Sequence, residues 1–168
     1  MIVDYHMHLR GQVASGPEPL VHTVDAIERF VEVAAARGVS RTDFALWGGL
    51  VPGGLSRLPE LAERGVVGFK AFMSGSGIDD FAAADDATLW QGMRVAGELG
   101  LPVLVHAEND GITAALARQA IAAGRTGIRD YLASRPVVAE VEAIRRAITL
   151  EPVSGRGRAS RYTSNRVR

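Results

Sequence analysis

At 168 residues the chain is long enough for one domain with its own core, but shorter than the roughly 250 residues of a complete eight-stranded α/β barrel. Its formal net charge is zero, which removes the electrostatic reason to expect a nucleic-acid or anionic-membrane partner, and the absence of cysteine excludes disulfides and thiolate metal sites. No apolar run reaches the roughly 20 residues of a membrane span, and Met1 leads into Ile2-Val3-Asp4-Tyr5 without the basic and apolar pattern of a signal sequence, so a cytoplasmic protein is expected.

Short apolar runs alternate with helical stretches along the chain. Ile2 to Met7 reads as a first strand, and His22 to Arg37 as a helix with Val24, Ile27, Phe30, Val31 and Ala34 on one face. Phe44 to Trp47 reads as a second strand closed by Gly48-Gly49, followed by a short helix over Arg57 to Arg64 that stops at Gly65. Val66 to Phe72 is the third strand. After a loop containing Ser74-Gly75-Ser76-Gly77, Asp85 is placed to cap a helix carrying Leu89, Met93 and Ala96, ending at Gly100. Leu101 to His106 is the fourth strand. Helices are expected near Ile112 to Ala123 and from about Pro136 to Leu150, the second with Glu142 four residues before Arg146.

Strands alternating with helices predict an α/β fold, a partial TIM-type β/α barrel of about four parallel βα units over residues 1–150. Glu151 to Arg168 holds five arginines and no apolar period, and is expected to be a basic, disordered tail.

The residue most out of keeping with the rest is Lys70, the only lysine against eighteen arginines, at the end of Val66-Val67-Gly68-Phe69-Lys70. A buried ammonium is costly, so the amine must lose its proton, find a partner or be modified. A neutral lysine takes up carbon dioxide to form a carbamate, an anionic oxygen ligand for metals, which arginine cannot do because it stays protonated. A gene that simply disfavours lysine codons would also leave a single lysine.

His6 and His8 are one residue apart on a strand and share a face with Asp4, the spacing that presents two imidazoles to one metal. His106 ends another apolar strand, where a satisfied core histidine is the plainer reading. Taken together, three of the four histidines and the sole lysine fall toward the carboxyl ends of predicted parallel strands, the end at which α/β barrels place their chemistry. Arg10 is placed to meet a substrate carbonyl or carboxylate, or else is a solvated loop residue. His22 begins a helix and reads as surface or capping. The acids Asp79-Asp80 and Asp85-Asp86 suit a loop and a helix N-terminus. Nucleophile elbow, Walker loop and dinucleotide fingerprint are all absent from the sequence.

From about Asp43 to Leu150 the sequence resembles the cyclic amidohydrolases, the family of allantoinase, dihydropyrimidinase and dihydroorotase. The resemblance is carried by Phe44-Ala45-Leu46-Trp47-Gly48-Gly49-Leu50-Val51-Pro52-Gly53, Gly65-Val66-Val67-Gly68-Phe69-Lys70-Ala71-Phe72, Leu101-Pro102-Val103-Leu104-Val105-His106-Ala107-Glu108 and Tyr131-Leu132-Ala133-Ser134-Arg135-Pro136. It implies a metal-dependent hydrolase opening a small cyclic amide such as allantoin. Two divalent ions, zinc by expectation, would be bridged by carboxylated Lys70, with His106, His6 and His8 as further ligands and Arg10 toward the substrate.

The family expects a further histidine and a general-base aspartate after Leu150. Neither residue type occurs there, which predicts little ring opening by this chain alone. Residues 1–40 instead resemble the opening of a PHP-type phosphoesterase, which gives a second reading as a metal-dependent phosphomonoesterase with a junction near residues 38–43. A third reading is a non-catalytic α/β module that self-associates through exposed sheet edges.

Overall fold

The computed structural model describes residues 45–77 and 81–151. Its centre is strand β2, Gly68–Phe72, flanked by β1, Trp47–Gly49, and β3, Val103–His106, in a parallel sheet of order β1-β2-β3. Gly68, Phe69 and Lys70 pair with Trp47, Gly48 and Gly49 on one side, and Phe69 to Phe72 pair with Val103 to His106 on the other. Parallel neighbours need a crossover, and helices supply it. A 3-10 turn over Leu55–Arg57 runs into α1, Leu58–Glu63, between β1 and β2, and α2, Asp86–Glu98, connects β2 to β3. Three helices follow: α3, Asp110–Ala122; α4, Ile128–Ala133; and α5, Val137–Leu150.

Side chains alternate along each strand, so the sheet has two chemically different faces. Phe69, Ala71, Val103 and Val105, all at most 2% exposed, form one face and pack against Leu58 and Leu61 of α1, Leu89, Met93 and Ala96 of α2, and Ala143 and Ala147 of α5. Burying each of the larger apolar side chains contributes roughly 1.5–3 kcal/mol, so this layer carries most of the stability of the described region. Gly68, Lys70, Phe72, Leu104 and His106 alternate onto the other face, away from that helix layer.

Local chemistry sets the element ends. The Asp85 carboxylate accepts from the Thr88 amide at 2.7 Å and starts α2, whose Leu89, Met93 and Ala96 stripe faces the sheet. Gly100, at φ +70°, turns the chain out of that helix and into β3. Asn109 starts α3 by accepting from the Ile112 amide at 3.1 Å. The Glu142–Arg146 pair forms along α5 at 3.3 Å, and Arg146 also reaches Asp86 of α2 at 2.7 Å, tying the two helices together.

Two expectations need correction. The second strand is Trp47–Gly49 rather than Phe44 to Trp47, and the glycines belong to it rather than ending it. A Cβ on Gly48 would lie 3.0 Å from the Phe69 ring and 3.2 Å from Leu61, so the strand needs glycine there to let the core close. Helix α4 was not anticipated; its six residues are too few to show a period, and Ile128, Tyr131 and Leu132 point largely to solvent. The first strand, the helix over His22 to Arg37, the junction near residues 38–43 and residues 152–168 lie outside the described residues. No helix among the described residues is long and apolar enough to cross a membrane.

Candidate functional site

Lys70 is the middle residue of β2, and only 8% of it is exposed. The sheet register sets it level with Leu104 and sets Phe72 level with His106. Lys70 and His106 therefore share the face turned from the helices, one pleat apart on adjacent strands. Strand spacing and rise put their Cα atoms roughly 8 Å apart, within reach of a lysine side chain.

Burial drives the Lys70 amine down from 10.5 to about 8, because water no longer solvates the ammonium fully. Its nitrogen lies 5.2 Å from the centre of the Phe72 ring. The same ring stacks on His106, with centroids 5.2 Å apart and planes inclined by 24°, so the imidazole has an aromatic wall on one side. His106 is also held below its ordinary pKa, first by burial and then by the nearby Lys70 charge, against the opposing pull of Glu108. The shift favours the uncharged imidazole, the form that donates a lone pair to a metal.

Beside His106 lies Glu108, just past the end of β3. One oxygen, Oε2, lies 3.5 Å from His106 Nε2, accepts from Arg135 Nη1 at 2.9 Å and accepts from Ser74 Oγ at 3.3 Å. These partners come from three places: Ser74 from the segment after β2, Glu108 from the end of β3, and Arg135 from the turn between α4 and α5. Neighbouring bonds bind the same rim. The Gly75 amide donates to Asp110 at 3.0 Å, the Asn109 amide donates to the Ala139 carbonyl at 3.0 Å, and the Asn109 side chain donates to Glu142. Arg135 also sits over the Tyr131 ring at 5.1 Å.

Of the residues singled out in the sequence, Lys70 and His106 lie on one face at neighbouring positions. His6, His8, Arg10 and His22, and with them the phosphoesterase-like opening, lie outside the described residues. No group of three or more histidine, cysteine, aspartate or glutamate side chains able to hold a metal occurs among the described residues. Glu108 is engaged by Arg135 and Ser74, which leaves Lys70 and His106 as the donors of this face among the described residues. A buried amine with a depressed pKa beside a neutral imidazole is a donor set that suits a divalent ion once the amine carries a carboxyl group. Sequence reasoning did not single out Glu108, Arg135 and Ser74 for function. Glu108 and Arg135 lie inside the motif segments, but spacing cannot reveal a pairing across 27 positions.

No protein-family profile matches the chain. Individual relatives do. Over 133 residues, 79% of this chain, it is 61% identical to the allantoinase of Rubrobacter xylanophilus and 59% identical to that of Solibacter usitatus, covering 29% of each. The allantoinase of Escherichia coli O9:H4 is 47% identical over 137 residues. A stretch of that length exceeds residues 43–150, so the likeness extends beyond the motif segments. Among solved structures, L-hydantoinase (dihydropyrimidinase) from Arthrobacter aurescens superposes with a TM-score of 0.73 at 39% identity, covering 79% of this chain and 29% of that one. Dihydropyrimidinase from Brevibacillus agri gives 0.67 at 32%, covering 81% and 29%. The chain thus spans less than a third of the length of these relatives.

Proposed function

The stretch that matches these relatives belongs to the cyclic amidohydrolase family, and on that premise we propose that this chain carries part of a metal-dependent ring-opening site of partial-barrel architecture. The substrate class is a small cyclic amide, allantoin or a related hydantoin or dihydropyrimidine, handled in the cytoplasm. The observation that carries the proposal is the sole lysine, 8% exposed in mid-strand, on the same face as His106.

In this reading the neutral Lys70 amine attacks the carbon of carbon dioxide, a C–N bond forms, one C=O π pair moves onto oxygen, and the ammonium proton leaves to water. The product is a carbamate anion. Depression of the amine to about 8 makes the reaction accessible near neutral pH, where an ordinary lysine is almost wholly protonated. The carbamate and His106, with His6 and His8 of the His-x-His motif, would hold two divalent ions, and zinc suits nitrogen and oxygen donors of this kind. When bound, such ions polarise a carbonyl and acidify water.

The chain's own residues have simpler tasks. Lys70 would supply an anionic oxygen ligand, His106 a neutral nitrogen, Phe72 an apolar wall beside both, and Arg10 a cation for the substrate.

Native mass measurement of the purified chain with zinc and bicarbonate tests the assignment. The expected result is one added carboxyl group with bound zinc, both lost in Lys70→Ala. An unmodified mass with no zinc at saturating concentrations would sink it. Rapid allantoin hydrolysis that Lys70→Ala abolishes would overturn only the expectation of weak turnover.

A further inference from the structure

Glu108 is where the rim converges. A single carboxylate oxygen faces a guanidinium, a hydroxyl and the His106 ring from three separate segments. The shortest contact, to Arg135 at 2.9 Å, is charge-assisted and sets where the carboxylate sits. The His106 contact at 3.5 Å is electrostatic rather than a full hydrogen bond, yet it meets one particular atom, Nε2. Phe72 stacks on the ring face while Glu108 meets its edge, so the imidazole is constrained in both tilt and rotation. A carboxylate beside one ring nitrogen favours the proton on that nitrogen, which leaves the lone pair on the other.

We infer that Glu108, held by Arg135 and Ser74, is a positioning residue for His106: it fixes the imidazole's tautomer with the proton on Nε2 and orients Nδ1 as the ligating nitrogen. The inference rests on the proposed metal site for its consequence, but the tautomer itself does not depend on metal. Outer partners of this kind typically change metal affinity by about 10–100-fold when removed. Arg135 has a purpose beyond bridging α4 and α5 to β3, since without its charge the carboxylate would have no fixed place. Its own Nε is buried without a hydrogen-bond partner, so the guanidinium is placed by Glu108 and the Tyr131 ring rather than by a full set of acceptors.

Two measurements on the full-length chain test this. Imidazole nitrogen spectra taken above neutral pH without metal, with the His106 signal assigned through His106→Asn, report the tautomer; titration with zinc in bicarbonate buffer reports affinity. Wild type should show the Nε2-protonated form. Glu108→Ala should give a tautomer mixture and a zinc affinity lower by about 10–100-fold, while Glu108→Gln, which keeps an acceptor oxygen, should retain the tautomer and lose less affinity. Should Glu108→Ala fail to fold, Arg135→Gln and Ser74→Ala release the carboxylate without removing it and should shift both readouts in the same direction. A His106 tautomer indifferent to these changes overturns the inference. If the tautomer follows Glu108 but no variant or wild type binds zinc, the positioning stands and the metal site falls.

Discussion

Lys70 sets a stability cost against a chemical opportunity, and the sign of that cost is measurable. Its amine titrates near 8 in the folded chain and near 10.5 when exposed. Between those values the unfolded chain holds a proton that the folded chain has released, so this residue makes stability climb as pH rises from about 8 to 10.5. Below about 8 the folded state carries the full burden of a poorly solvated ammonium. Replacement by an apolar side chain of similar reach removes that burden. Lys70→Met should therefore be more stable than wild type at pH 7, by roughly 0.5–2 kcal/mol in metal-free buffer, and should lack the alkaline climb. Paired urea melts across that pH range measure both effects. A Lys70→Met chain less stable than wild type would mean that the amine is structural and that its burial needs no functional explanation. His106 shows the same direction, since burial lowers its pKa against the opposing pull of the adjacent Glu108 carboxylate.

The elements depend on glycine in two opposite ways, and substitution separates them. A Cβ on Gly68 in β2 would lie 2.3 Å from the Trp47 ring and 2.7 Å from the Pro102 carbonyl, and a backbone atom cannot step aside as a side chain can. Gly68→Ala should cost about 1–3 kcal/mol in denaturant melts. Gly97, on the exposed side of α2 with nothing within 4 Å of its would-be Cβ, should do the reverse, and Gly97→Ala should gain about 0.5–1 kcal/mol from helix propensity. Effects of the same sign at the two positions would contradict the packing described. This distinction also marks how much the sequence reveals. The Asp85 cap, the Leu89-Met93-Ala96 stripe, the Gly100 stop and the apolar strand ending in His106 were all legible, because each is a local rule with a local cause. The position of β1 was not, because Gly48-Gly49 resembles a strand terminator until Phe69 and Leu61 are seen filling the space above it. Lys70 was visible as an oddity of composition. Glu108 and Arg135 look like ordinary surface charges in sequence, and only the sheet and the α4–α5 turn bring them together.

At the scale of the whole molecule, folding and ligand binding are one equilibrium if the face of Lys70 and His106 holds metal. The described sheet packs one face against α1, α2 and α5, while Lys70, Phe72, Leu104 and His106 alternate onto the opposite face. Any ion bound there by the folded chain and not by the unfolded one stabilises the fold by mass action, by about 2.7 kcal/mol at a hundred times the dissociation constant. For a chain of this size each kcal/mol moves the melting temperature by about 2–4 °C, so zinc with bicarbonate should raise it by roughly 5–11 °C. Lys70→Met should show no such rise although its metal-free form melts higher, and His106→Ala should show a reduced one. The crossing of these two trends is the decisive feature: a variant that is the more stable without metal and the less stable with it identifies a residue retained for the ligand rather than for the fold. If zinc raises wild type and Lys70→Met equally, the ion binds elsewhere and the lysine's burial has another origin.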